Sequence, residues 1–160
     1  MKLSHLDHSG RPRMVDVSGK EPTARTAAAI GSIILSEQVA GFLEQRRNEK
    51  GNVLNTAVVA GIQALKNTSA LIPMCHPLSV QSADITFDLQ GMELVCRCSV
   101  SAVSETGFEM EALVGVTVAL LTVYDMLKAL DKSMVIKEVY LLEKTGGKSG
   151  NFEAIRKFDK

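Results

Sequence analysis

The hydrophobic positions of this chain change period several times, and each change marks an element. Val39, Phe42 and Leu43 recur at i, i+3 and i+4 behind Ser36 and Glu37. This predicts a helix with Ser36 as its N-cap, running to about Arg47 and broken by Lys50-Gly51-Asn52. A second helix is expected over residues 53–67, where Ala57, Ala60, Gly61 and Ala64 permit close packing. Strict alternation follows over residues 81–89, with Ala83, Ile85, Phe87 and Leu89 opposing Ser82, Asp84, Thr86 and Asp88. After Gln90-Gly91, a second strand places Met92, Leu94, Cys96, Cys98, Val100 and Ala102 on one face, so the pair reads as an antiparallel hairpin. A helix apolar on nearly all sides is expected over residues 108–130, and such a helix is buried within a subunit or between subunits. Residues 134–142 are rich in β-formers and end at Gly146-Gly147.

The remaining segments are less regular. Residues 1–25 read as an irregular polar arm with a turn at Gly10-Arg11-Pro12, and residues 153–160 as a charged, frayed tail. Residues 26–35 are ambiguous, because their alanines favour helix while Ile30, Ile33 and Ile34 could enter a strand. Pro73 and Pro77 bracket a rigid Met74-Cys75-His76 loop. The order of elements indicates one α+β domain spanning residues 1–160, with a ferredoxin-like antiparallel sheet packed by helices. The very apolar helix and the low aromatic content add the expectation of an oligomer.

Composition narrows the function classes. The 160 residues carry 18 basic and 18 acidic groups, which argues against a general nucleic-acid binder or a surface made for anionic membranes. The neutrality hides an asymmetry. Residues 1–77 hold 9 basic and 6 acidic groups, residues 78–127 hold Arg97 against 7 carboxylates, and residues 128–160 hold 8 basic and 5 acidic groups. Basic ends thus flank an acidic middle. Within that middle, Asp84, Asp88 and Glu93 are expected to solvate the outer face of the hairpin. Three cysteines, Cys75, Cys96 and Cys98, and a polar N-terminus suggest a reducing, cytoplasmic setting. The uncharged run over 112–124 is shorter than the roughly 20 apolar residues of a membrane span.

Several groups could carry chemistry. The two prolines leave His76 little freedom, which suits hydrogen bonding or proton transfer as well as a plain stiff turn. Cys75, Cys96, Cys98 and His76 could in principle form a tetrahedral metal set, although Cys-x-Cys on an apolar strand face is usually core. Gly146-Gly147-Lys148-Ser149-Gly150 is not a P-loop, since Leu142 stands where the motif needs its first glycine. Its glycines can still adopt positive φ and, with Lys144 and Lys148, form an anion-binding loop. Asp125 and Lys128 are neighbours on one helix face, either a surface ion pair or a partly buried pair tuned for acid–base work. Glu111 and Asp125 share a similar face but lie ~21 Å apart along the axis, so a common site needs a long ligand or two subunits. Together these features suggest an oligomer that binds a phosphorylated small molecule.

Longer motifs then carry a resemblance. Met14-Val15-Asp16-Val17, Lys50-Gly51, Ala60-Gly61-Ile62-Gln63-Ala64, residues 71–78, residues 106–113, residues 121–126 and residues 144–150 together resemble the cyclic pyranopterin monophosphate synthase family, the molybdenum cofactor biosynthesis protein C group. The resemblance covers about residues 3–152. It implies a ferredoxin-like fold assembled as a homohexamer, a trimer of dimers, with sites at subunit interfaces. It implies a lyase that converts 3',8-cyclo-7,8-dihydroguanosine 5'-triphosphate to cyclic pyranopterin monophosphate and releases pyrophosphate. No metal or organic cofactor is implied, and no nucleic-acid or membrane partner.

Carried over residue by residue, the resemblance places the acid–base pair on Asp125 and Lys128, with Lys50 and Lys144 as further active-site lysines. It places substrate contacts on Met74, Cys75, His76, Met110 and Glu111, and triphosphate contacts on Arg25 and Lys148. Neighbouring cations are expected to perturb the Lys128 pKa. Asn52 replaces the family's usual Asp, Val58 a frequent Arg, and Glu105 a usual Lys or Arg; the last change removes a basic contact near Thr106. Two other function classes remain in view: a non-catalytic nucleotide-binding protein, prompted by these departures, and a thiolate metal protein using the three cysteines.

Overall fold

A computed structural model describes residues 4–45, 53–148 and 150–155. Among these, the elements are β1 (Thr23–Ile34), α1 (Glu37–Gln45), α2 (Val53–Leu65), the short α3 (Thr68–Leu71), β2 (Ser82–Gln90), β3 (Glu93–Ser104), α4 (Glu109–Leu127), β4 (Val135–Thr145) and β5 (Phe152–Glu153). The sheet order is β2-β3-β1-β4-β5, and every neighbouring pair is antiparallel. The first four strands and the helices between them follow a split β-α-β plan, as the element order predicts.

The ambiguous stretch resolves as the central strand. Alanine favours helix in isolation, yet β1 starts at Thr23 and is buried without interruption over residues 27–33. It pairs along its length with β3, from Thr23↔Ser104 to Ile34↔Glu93, and with β4 on its other side, with register shifts at Ala28/Ala29 and Gly31/Ile33. Small residues are needed because the sheet and α4 close tightly here. A Cβ on Gly31 would meet Val139 Cγ2 at 2.8 Å and Val116 Cγ1 at 3.0 Å.

The core lies between the sheet and the helical layer. The even positions of β3 from Leu94 to Ala102 are buried, as the alternation predicts, whereas Met92 lies in the exposed turn. Ala57, Gly61 and Ala64 of α2 are buried. A Cβ on Gly61 would approach the Gly115 carbonyl of α4 to 2.8 Å, so small residues set the α2–α4 distance. Ser36 precedes α1 and its carbonyl accepts the Ala40 N–H at 2.9 Å, but its buried hydroxyl makes no capping bond, so it closes the helix through its backbone alone.

Three details depart from the sequence pattern. First, α4 ends at Leu127 rather than 130, and Leu121 and Met126 face outward. At 19 residues it has the length and apolarity of a membrane span, but it packs on α2, β1, β3 and β4. Second, Phe152 and Glu153 form a short strand on β4, extended by the Ala154 N–H to Leu142 carbonyl bond at 2.7 Å. Third, Glu93 does more than solvate the hairpin. It accepts the Ser32 hydroxyl at 2.6 Å and lies 4.0 Å from Lys137, satisfying a buried polar group of the central strand. The expected helix break at Lys50-Gly51-Asn52, the motif residue Ser149 and the end of the tail, 156–160, lie outside the described residues.

Candidate active site

Antiparallel topology brings the start of β1, the ends of β3 and β4 and the start of α4 to one end of the molecule. The loop over 72–78 joins them, since it leads into β2, whose first residue Ser82 pairs with Ser101 near the end of β3. Arg25, Lys144, Lys148, Glu109, Glu111 and the Met74-Cys75-His76 loop therefore gather at one end from distant parts of the sequence.

Arg25 organises the basic side. Its Nε donates to the Ser104 carbonyl at 2.9 Å and its guanidinium to the Glu105 carbonyl at 3.1 Å, tying the end of β3 to the start of β1. Glu105 contributes its backbone here, so its charge reversal leaves this contact intact. Gly146 and Gly147 both take positive φ, +85° and +78°. A side chain on Gly146 would run into the Ala24 carbonyl and one on Gly147 into the Arg25 guanidinium. The glycine turn and the arginine thus lie against each other. With Gly19, Lys20, Glu21, Thr23 and Lys148 they line a cleft of about 450 Å³. Three cations, Lys20, Arg25 and Lys148, make it suited to an anion. Lys20 was missed by sequence reasoning; its only signal was that it follows Met14-Val15-Asp16-Val17 by a few residues.

The α4 side is carboxylate-rich. Lys144 Nζ lies 3.1 Å from Glu109 Oε1, with both side chains largely shielded. Glu111 is only 4% exposed. Burial, with the nearby Glu109 charge, pushes its pKa up to about 7 against the pull of its own N–H. Cys75 is half-buried, and burial together with the Glu111 charge pushes its thiol up. Met74, His76 and Met110 are also half-buried. His76 Nε2 donates to the Val15 carbonyl at 2.7 Å, which joins the N-terminal arm to this loop.

Asp125 and Lys128 stand apart. They pair at 2.5 Å but are 70% and 53% exposed, so of the two alternatives this protomer shows the surface ion pair. Water reaches both groups because they lie on the outer face of the last turn of α4, whose inner face buries Val123 and Leu127. The shift of Lys128 is also opposite to the one neighbouring cations would cause: its hydrogen bond to Asp125 and that carboxylate's charge raise its pKa. The four helical turns between Glu111 and Asp125 hold the two groups ~21 Å apart along the axis. Lys50 lies outside the described residues.

The cysteines do not converge. Cys96 and Cys98 lie in the core, where burial pushes both thiols up to about 12. Cys98 Sγ sits where a Gly115 Cβ would come within 2.8 Å of it, so it fills space under α4. Among the described residues, no three His, Cys, Asp or Glu side chains are grouped as metal ligands.

Fold and site together describe an α+β protein with a cationic cleft suited to an anion at one end of the sheet, and carboxylates and a histidine at the same end. The chain belongs to the MoaC family, whose model matches residues 14–147. It is 50% identical to the cyclic pyranopterin monophosphate synthase of Thermoanaerobacter sp. (strain X514) over 155 residues, covering 96% of this chain and 98% of that one. The synthase of Staphylococcus carnosus (strain TM300) is 50% identical over 154 residues, covering 94% and 96% of the two chains. That of Bacillus velezensis is 52% identical over 155 residues, covering 94% and 91%.

Proposed function

We propose that this protein is a cyclic pyranopterin monophosphate synthase of molybdenum cofactor biosynthesis. Its substrate is the cyclised dihydroguanosine triphosphate, and the reaction is that of a lyase. A sugar hydroxyl attacks the α-phosphorus, the bond to the β-phosphate oxygen breaks, pyrophosphate leaves and the hydroxyl proton passes to a base. The observation that carries this reading is the near-full-length identity to relatives of that name, joined to a cationic cleft at the end of the molecule where α4 begins. Arg25 and Lys148, with Lys20, hold the triphosphate, where cations stabilise charge moving onto pyrophosphate. His76, Cys75, Met74, Met110 and Glu111 meet the reduced purine. Asp125 and Lys128 move protons, and Lys50 and Lys144 complete the site.

The separation along α4 favours a site shared between copies of the chain. Thr117, Leu121 and Asp125 follow one another at intervals of four on the outer face, and Leu121 is 51% exposed. Met126 and Leu130 add exposed apolar surface near the same end. A second protomer covering this stripe would dry the Asp125–Lys128 pair and bring it to another protomer's cleft, as a hexamer built as a trimer of dimers does. The three free thiols suit a reducing cytoplasm.

The test is incubation with the authentic cyclised substrate, reading pyrophosphate release and pyranopterin formation. Tight binding without product would replace the enzyme by a nucleotide-binding protein. Sedimentation at the mass of one 17.3 kDa chain at working concentration would remove the shared site.

A further inference from the structure

The hydrogen bond between His76 and Val15 fixes which ring nitrogen carries a proton. A carbonyl oxygen only accepts, so at 2.7 Å the proton belongs to Nε2. A neutral imidazole with its proton on Nε2 has an unprotonated Nδ1. We propose that the Val15 carbonyl locks His76 as the Nε2–H tautomer and reserves Nδ1 as a hydrogen-bond acceptor for an N–H group of the substrate, with residues 14–17 acting as a positioning strap.

Both ends of the bond are held independently. On the loop side, the Cys75 N–H donates to the Ile72 carbonyl at 3.0 Å, and Pro77 confines the His76 backbone to extended conformations. On the arm side, Asp16 accepts the Ser18 N–H at 2.9 Å and its hydroxyl at 2.7 Å, while the Lys20 N–H donates to the Val17 carbonyl at 3.0 Å. The strap therefore enters a closed turn directly after Val15, and that turn delivers Lys20 to the cationic cleft. A free histidine ring would exchange its proton between nitrogens and flip; this one is held by a backbone acceptor that cannot reverse its role. Glu111, whose charge acts on the adjacent Cys75, and the half-buried Cys75 thiol lie at the same end as His76 and add polar groups for a heterocycle. A reduced guanine carries several N–H donors and suits a fixed acceptor. This last step rests on the substrate reading above, whereas the tautomer does not.

Two substitutions separate the two nitrogens. In His76→Gln the amide nitrogen replaces Nε2 and keeps the strap bond, but nothing replaces Nδ1. In His76→Asn the side chain reaches only the Nδ1 position, and the strap bond is lost. The full-length protein, labelled with ¹⁵N, is read by long-range ¹H–¹⁵N correlation, with His5 and His8 told apart from His76 by the variants. The expected spectrum shows a protonated Nε2 and an unprotonated Nδ1 for His76 without any ligand; the Nδ1–H tautomer, or two averaged nitrogens, overturns the proposal. Trypsin then reports the strap at Arg13 and Lys20. His76→Asn should raise cleavage there by about tenfold, as expected for one lost hydrogen bond, and His76→Gln should leave it unchanged. Equal cleavage of the two variants overturns the strap. With authentic substrate, His76→Gln should raise KM more than it lowers kcat; unchanged KM overturns the acceptor role of Nδ1. Absence of turnover in the unmodified protein would instead refute the substrate reading while leaving the tautomer and cleavage results standing.

Discussion

Replacing Glu111 by glutamine should abolish a pH dependence of stability that the native protein carries. Glu111 is 4% exposed, and burial raises its pKa from 4.5 to about 7. The folded state thus binds the proton more tightly than the unfolded chain. The contribution of Glu111 to stability is highest below about pH 4.5, declines as pH rises toward 7 and levels off above it, because the unfolded chain ionises first. The gap between the two pKa values corresponds to roughly 3 kcal/mol, which the residual access of water to the carboxyl lowers to about 2 kcal/mol. Glutamine keeps the shape of the neutral acid but cannot ionise. Urea unfolding at pH 5 and pH 8, at one fixed protein concentration, should therefore show nearly equal stabilities at pH 5 and a variant about 2 kcal/mol more stable at pH 8. With a slope of about 2 kcal/mol per molar urea, the midpoint difference is on the order of 1 M. Parallel pH profiles for the two proteins would refute the assignment of a buried, protonatable carboxyl, and so would a variant that loses stability at both pH values.

Other outcomes follow from particular contacts. Asp125→Asn should lower turnover by at least about 100-fold if Asp125 transfers a proton, read with the authentic substrate. Arg25→Gln should weaken pyrophosphate binding by calorimetry and cost about 1–3 kcal/mol, since the Ser104 and Glu105 carbonyls lose their charged donor. Gly146→Ala should lower the thermal midpoint through a strain of about 1–2 kcal/mol at φ +85°, with the Ala24 carbonyl adding a clash. Gly115→Ala should cost about 1–3 kcal/mol by overpacking against Cys98 Sγ at 2.8 Å and Leu65 Cδ2 at 3.3 Å, as read by urea unfolding.

The sequence alone determined what local periodicity can encode. The alternation from Ser82 through Ala102 specified the hairpin and its buried face, because a pleated strand has a period of two. The small residues of α2 announced a close helix contact, and Gly146-Gly147 announced a positive-φ turn. The long motifs named the family and most of the candidate residues. Tertiary structure decided whatever depended on partners distant in sequence. The alanines over 27–29 have no strand signal of their own; they are a strand because β3 and β4 pair with them on both edges. Glu93 looked like a solvated charge until the fold set it beside Ser32. His76 read equally as a stiff turn or a fixed hydrogen-bonding group until the arm, 61 residues away, supplied the carbonyl that accepts from it. The raised pKa of Glu111 likewise follows from the dry environment at the start of α4. The fate of Asp125 and Lys128 was the reverse: an apolar flanking sequence suggested burial, and the geometry of a single chain exposes them. Periodicity reports which face of an element is apolar; only the assembled sheet and helices decide what covers that face and which charges are left in water.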